Sequence, residues 1–171
     1  AAAEALPDDA RGARLRRSLD EAGRRVDAVA TGFLALARAE AGLVTEARGP
    51  VDLLAVARGL ATTRPALHVG PGAFVVHGAA EALETALRNL VDNGLVEGDV
   101  HIEAHDGTLV VWDTGPGVPE ALRDRLFEAW VTGRAGGTGL GLALARAIVE
   151  AHGGTLRLEG ANRFVFAGLR G

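Results

Sequence analysis

The sequence predicts an α+β sandwich, with one antiparallel or mixed sheet covered by helices on one face and a long helix ahead of it. Two patterns carry this expectation: a heptad-like seam over residues 15–36, and pairs of short alternating strands interleaved with amphipathic helices. The 171 residues suffice for one well-buried domain plus an appendage.

Residues 1–10 read as a loop with Pro7-Asp8-Asp9 as its breaker. Leu15, Leu19, Ala22, Val26, Val29, Phe33 and Leu36 then recur at alternating spacings of four and three. That stripe suits a helical bundle or coiled coil, with Arg16, Arg17, Asp20, Arg24 and Asp27 facing water. A helix folded back on its own domain is the competing reading. Glu40-Ala41-Gly42 ends the helix and Arg48-Gly49-Pro50 makes a second break, so the sequence divides into 1–46 and 47–171. Residues 51–62 form an amphipathic helix on Leu53, Leu54, Val56 and Leu60. Strands at 66–69 and 74–77 read as a hairpin around Gly70-Pro71-Gly72. A long helix covers 79–95, and a second hairpin joins 99–104 to 108–112 through His105-Asp106-Gly107. Pro119 opens a helix to about residue 129, another spans 139–152, and strands at 155–159 and 163–167 finish the chain.

Composition narrows the function. Hydrophobic residues make up 48% and charged residues 23%, as in a globular protein. The net charge of −4 without a basic block argues against nucleic acid as a partner. The absence of cysteine excludes disulfides and thiolate metal sites. No apolar run reaches the roughly 18–20 residues that cross a bilayer, so no membrane contact is expected of this piece. All 18 basic residues are arginine, a composition expected of a GC-rich genome, and the absence of methionine, even at position 1, suggests a piece of a longer protein.

Three motifs carry chemistry. Asp113-Thr114-Gly115-Pro116-Gly117 follows a strand, offering a carboxylate acceptor for an exocyclic amine beside a backbone that a planar ring can approach. By itself the pattern equally reads as a tight turn. Gly136-Gly137-Thr138-Gly139-Leu140-Gly141 opens a helix, where exposed N–H groups and the helix dipole favour phosphate. It is not a Walker A loop, since no Gly-Lys-Ser/Thr follows. Asn89 and Asn93 stand four apart on one helix face, offering neutral oxygens suited to magnesium or phosphate, or simply capping the surface.

In this order, Asn89/Asn93, Asp113-x-Gly115-x-Gly117, Phe127 and Gly137-x-Gly139-x-Gly141 resemble the N, G1, F and G2 boxes of sensor histidine kinases. That family shares the Bergerat ATP-binding fold with gyrase, Hsp90 and MutL. The resemblance runs from about Val51 to the C-terminus. Upstream, Leu34-Ala35-Leu36-Ala37-Arg38-Ala39-Glu40-Ala41-Gly42 resembles the second helix of the dimerisation and phosphotransfer bundle. The resemblance implies ATP and Mg2+ as ligands, with Asn89 holding the metal, Asn93 reaching the phosphates and Asp113 binding the adenine amine. It implies that Gly115 and Gly117 line the base while Gly137, Thr138, Gly139, Leu140 and Gly141 wrap the triphosphate. Phe127 would begin a short lid whose Arg134 is either a phosphate contact or a solvated loop charge. Implied partners are a second copy through the bundle and a response-regulator receiver domain. The implied location is the cytoplasm, with anchorage of the parent in the cell membrane left open.

Four departures qualify the match. No histidine lies on the 15–36 helix, since the five histidines are His68, His77, His101, His105 and His152. The phosphoacceptor therefore lies outside this sequence, and no catalytic residue is assigned within it. His152 is expected to help cap a helix, and His101 with His105 is a weak candidate for a metal pair. Relatives place a lysine and an aromatic where this chain has Val96 and Glu97, which implies weaker nucleotide affinity. Hydrolytic cousins carry a glutamate four residues before the first asparagine, where this chain has Thr85, with Glu84 turned about 100° away. The readings are therefore a kinase catalytic half and, as the alternative, a non-catalytic phosphotransfer scaffold. A water-using ATPase is disfavoured, because threonine is a poor general base. Steady-state phosphate release from ATP by this chain is expected to stay at background. Turnover well above it that disappears in Asp113→Ala would contradict this reading.

Overall fold

The computed structural model describes residues 6–40, 47–133 and 137–171, with part of the first helix described by its backbone alone. The order is α1 (Leu6–Glu40), β1 (Arg48–Asp52), α2 (Leu53–Ala61), β2 (Leu67–Val69), β3 (Val75–Ala79), α3 (Ala80–Gly94), β4 (Val100–His105), β5 (Thr108–Asp113), α4 (Glu120–Arg123), α5 (Gly141–Ala151), β6 (Thr155–Glu159) and β7 (Arg163–Ala167). The five-stranded sheet runs β2-β4-β5-β7-β6, mixed because only β2 pairs in parallel. Its inner face, including Ile102, Leu109, Val111 and Phe166, packs under α2, α3 and α5 around Leu53, Leu54, Leu83, Leu87 and Leu90. The expected α+β sandwich with helices on one face is the fold observed.

The β4–β5 hairpin turns at Asp106 and Gly107, with φ of 47° and 73°. Two positive-φ residues are what a tight hairpin with right-handed strand twist requires. The other expected hairpin does not form. β2 pairs with β4, while β3 pairs antiparallel with β1 in a separate two-stranded sheet. Gly70 donates to the Ile102 carbonyl at 2.8 Å, holding the turn to the main sheet before the chain departs. The break expected at Arg48-Gly49-Pro50 is instead the start of β1, where Pro50 is tolerated because the strand is an edge.

Helix limits also differ. α1 already includes Pro7, whose missing N–H lies in the first turn, where no helical partner exists. The predicted helix after Pro119 contracts to four residues. Beyond it the chain continues through i→i−3 turns, such as Arg125 to Leu122 and Glu128 to Arg125, until Trp130 leaves the right-handed region with φ of 72°. The α1 seam divides in two. Leu19, Val26 and Phe33 are exposed, whereas Leu36 and Ala39 are buried in the hydrophobic core. The side chain of Leu15, residues 41–46 with the expected helix end at Ala41-Gly42 and the domain boundary, and residues 1–5 lie outside the described parts. Among the described residues no helix is long and apolar enough to cross a membrane.

His152 does more than cap. It is buried, its Nε2 accepts from the Ala79 N–H at 3.0 Å, and its Nδ1 lies 2.7 Å from the Ile148 carbonyl. The ring thereby ties the end of α5 to the start of α3. His101 is stacked between His68 and Trp112, with centroids 4.8 and 5.1 Å apart, and Arg163 lies over Trp112. This row crosses β2, β4, β5 and β7 on the outer face. No metal-holding group of three or more His, Cys, Asp or Glu occurs among the described residues.

Asp52 starts α2, with one carboxylate oxygen accepting from the Leu54 N–H at 3.0 Å and from the Phe74 N–H at 2.9 Å. Burial pushes its pKa up, but the backbone donors Phe74, Ala55 and Leu54, with the charge of Arg58, outweigh this and lower it from 3.8. A depressed pKa contributes stability that is present above the ordinary value and lost as pH falls through the folded one. Asp52→Ala should cost about 1–2 kcal/mol near neutral pH. The difference from wild type should shrink in acid, as measured by denaturant unfolding at both pH values.

Candidate nucleotide-binding site

A cavity of about 610 Å³ opens between α3, the end of β5 and the N-terminus of α5. The amphipathicity of α3 decides which side chains reach it. Leu83, Leu87, Leu90 and Val91 are buried beneath the helix, and Asn89 and Asn93 rise along its edge to line the cavity. Asn89 Nδ2 donates to the Thr85 carbonyl at 3.0 Å. Its Oδ1 therefore turns toward α5, only 3.1 Å from where a Cβ on Gly141 would stand. Thr85 spends its hydroxyl on the Glu81 carbonyl at 2.8 Å, and Glu84 pairs with Arg88 along the helix. Neither is aimed as a water-activating base.

Asp113 heads the cavity at the end of β5 and is 7% exposed. Its Oδ1 accepts from the Gly115 N–H at 2.9 Å, and its own carbonyl accepts from Asn162 Nδ2 at 2.5 Å. Gly115 does not line the cavity. It stands behind the aspartate, and a Cβ there would lie 2.6 Å from Glu97 Cβ and 2.9 Å from Asp113 Oδ1. Gly117 does line it, with φ of 77° and the backbone of Ala161 pressed to within 2.8 Å of a Cβ position.

The third wall is the glycine loop. Gly137, Thr138, Gly139 and Gly141 all face the cavity. Gly139 has φ of 67°, and its carbonyl accepts from the Trp130 N–H at 3.0 Å. This left-handed residue also delays the helix, so α5 begins at Gly141 rather than at 139. Thr138 Oγ1 lies 3.4 Å from the Leu140 N–H. The Leu140 side chain is buried, with Gly32 of α1 against it, and does not line the cavity. Phe127 is likewise set back, edge-on to Phe164 at 6.4 Å with Arg146 over its ring. Arg134 and Gly136 lie outside the described residues.

The structure therefore brings Asn89, Asn93, Asp113, Gly117, Gly137, Thr138, Gly139 and Gly141 to one cavity, and places Gly115, Phe127 and Leu140 behind it. Sequence reasoning missed the apolar lining from Val118, Leu122, Leu126 and Phe164, and missed Asn162. A lone asparagine in a hairpin turn gives no signal of a partner so far away in the chain. Val96 and Glu97, noticed as departures, also line the cavity.

A carboxylate at a strand end, a helical asparagine pair and a glycine loop opening a helix around one cavity define a nucleotide-binding α/β sandwich. The family model for histidine kinase-, DNA gyrase B- and HSP90-like ATPases matches residues 78–168, more than half of the chain. The chain is 32% identical over 163 residues to the "Probable sensor histidine kinase TcrY" of Mycobacterium tuberculosis, spanning 79% of this chain and 33% of that protein. It is 33% identical over 169 residues to the sensor protein CutS of Streptomyces coelicolor, spanning 85% of this chain and 40% of that one. Among solved structures, full-length ShkA in complex with AMPPNP superposes with a TM-score of 0.69 at 26% identity, over 90% of this chain and 38% of that one. The ATP-binding domain of PrrB from Mycobacterium tuberculosis superposes at 0.58 and 26% identity, over 74% of this chain and 99% of that one. The chain belongs to the histidine kinase-, DNA gyrase B- and HSP90-like ATPase family, and the two curated relatives are a probable sensor histidine kinase and a sensor protein. It spans about a third of TcrY and two fifths of CutS.

Two glycines with left-handed backbones separate geometry from site. At Gly160, φ is 66° and the Cβ position is open, so Gly160→Ala should cost about 1–2 kcal/mol. At Gly139 a Cβ would stand 2.5 Å from the Trp130 carbonyl carbon. Gly139→Ala should therefore be the more destabilising of the two in thermal unfolding and should also weaken nucleotide binding.

Proposed function

We propose that this chain is the ATP-binding catalytic part of a two-component sensor histidine kinase. It would present the γ-phosphoryl group of ATP to a histidine outside this sequence, from which a response-regulator aspartate would receive it. The observation that carries this reading is Asp113, a buried carboxylate at the head of a cavity whose far wall is the N-terminus of α5. Asp113 and Gly117 would receive the adenine, with Gly115 holding the carboxylate in place. The 137–141 loop would hold the triphosphate through its backbone N–H groups and the α5 dipole. Asn93 would reach the phosphates, and Arg134 is a further candidate contact. Catalysis would rest on positioning and charge stabilisation.

Asn89 fits magnesium. Its amide nitrogen is committed to Thr85, which leaves the carbonyl oxygen, a hard donor, on the cavity side against Gly141. Magnesium bound there would supply positive charge against the phosphates. Among the described residues lining the cavity there is no arginine, lysine or histidine, which makes that charge the more necessary.

Residues 1–46 would form the second helix of a dimerisation and phosphotransfer bundle, and 47–171 the catalytic domain. The exposure of Leu19, Val26 and Phe33 supports a homodimer through α1. The assembled cavity supports this reading over a scaffold that has lost nucleotide binding.

Calorimetric titration of the chain with ATP and Mg2+ should give weak binding, above the low-micromolar range. Asp113→Ala should lower affinity about 10–100-fold, the range of a hydrogen bond to a charged group. The parent protein should form acid-labile phosphohistidine that is lost in the same variant. Binding indifferent to Asp113 would overturn the assignment.

A further inference from the structure

We infer that Asn162 is a positioning residue for base selection, its side-chain amide holding Asp113 so that the carboxylate meets the exocyclic amine of adenine. The inference rests on the nucleotide reading of the cavity and adds a residue that does not itself line it.

Asp113 stands where β5 leaves the sheet. On the β4 side it is still in register, opposite Val100, but the β5–β7 ladder ends one residue earlier, at Trp112 and Arg163. Between β6 and β7 the chain turns through Gly160, Ala161 and Asn162, with Gly160 at φ of 66°. Asn162 lies just ahead of β7, and its side chain reaches across where the ladder has stopped, Nδ2 donating to the Asp113 carbonyl at 2.5 Å. The neighbouring Ala161 carbonyl accepts from the Val118 N–H at 2.6 Å, and Gly117 is bare where the Ala161 backbone presses against it. Two adjacent residues of one turn thus hold both ends of the loop from Asp113 to Val118.

The other side of that loop is clamped to the segment after α3. Thr114 N–H donates to the Asp99 carbonyl and Asp99 N–H donates to Thr114 Oγ1, both at 3.0 Å. Gly98 and Gly115 permit this approach, since a Cβ on either would lie within 2.6 Å of atoms across the clamp. The clamp secures Thr114, the Gly115 N–H secures Asp113 Oδ1, and Asn162 supplies the hold on the Asp113 peptide from the β7 side. A hydrogen bond weakens steeply as its angle opens, so the bond from Asp113 to a base depends on all three supports. Without the Asn162 amide, Ala161 and the clamp still fasten the rest of the loop. The loss then falls on Asp113, and so on the base rather than on the triphosphate, whose loop at 137–141 belongs to another wall.

The experiment measures dissociation constants of ATP and of purine riboside triphosphate, which is ATP without its exocyclic amine, each with Mg2+. The proteins are the full chain, Asn162→Ala, Asn162→Asp and Gly160→Ala, with folding of each checked by thermal unfolding. The wild type should prefer ATP by about tenfold or more, the scale of a hydrogen bond to a charged group. Asn162→Ala should weaken ATP and narrow that preference by about threefold or more, the scale of one neutral hydrogen bond. Asn162→Asp keeps the shape of the side chain without its N–H donors and should narrow the preference likewise. Its added charge acts equally on two ligands of equal charge and cancels in their ratio. Gly160→Ala strains the same turn without removing the bond and should leave the preference within about twofold of wild type. A preference unchanged in both Asn162 variants, or narrowed as much by Gly160→Ala, overturns the positioning role while leaving the ATP site standing. A wild type that does not bind ATP, or that binds it without preference for the amine, overturns both.

Discussion

Burying the Asp113 carboxylate is the constraint around which this domain is arranged. A polar group so deep must be hydrogen-bonded, and one donor comes from its own chain two residues on. That donor reaches it only because Gly115 is bare on the side where Glu97 presses in. The same clamp ties the end of α3 to the end of β5, and Asn162 secures the strand from the final hairpin. Three segments remote in sequence thus converge on the Asp113–Gly115 turn.

The opposite end of the cavity depends on how α3 and α5 pack. Their apolar faces meet over the sheet, and His152 bridges the end of α5 to the start of α3. This seats Gly141 against the Asn89 carbonyl and leaves α5's N-terminus open to the cavity. On the outer face, the His68–His101–Trp112–Arg163 row joins four strands beside the same end of β5. Cross-strand stacking there stiffens the strand end that carries Asp113.

The first helix serves two surfaces. Its last turns are part of the hydrophobic core through Leu36 and Ala39, while Phe33 stacks on Trp130 at 6.3 Å, next to the glycine loop. Leu19, Ala22 and Val26, earlier in the seam, remain exposed. One apolar stripe is thus shared between intramolecular packing and a face that remains open, and spacing alone does not say where one use ends and the other begins.

Local chemistry made much of this protein legible from its residues. The Asp106-Gly107 hairpin, the last two strands, α3 with its asparagine edge and the glycine boxes all follow from turn chemistry, side-chain period and backbone freedom, which act over a few residues. The β1–β3 pairing, the shortening of α4, the retreat of Leu140 and Phe127 from the cavity and the contribution of Asn162 were decided by tertiary structure. Each depends on which distant strand or helix offers a partner, and a strand beside Gly70-Pro71-Gly72 carries no mark of whether its hydrogen bonds go to its neighbour or across the domain. Glu97 stands between the two cases. Its sequence position marked it as unusual, but only the clamp between Gly98, Thr114 and Gly115 placed it beside Asp113 at the mouth of the site.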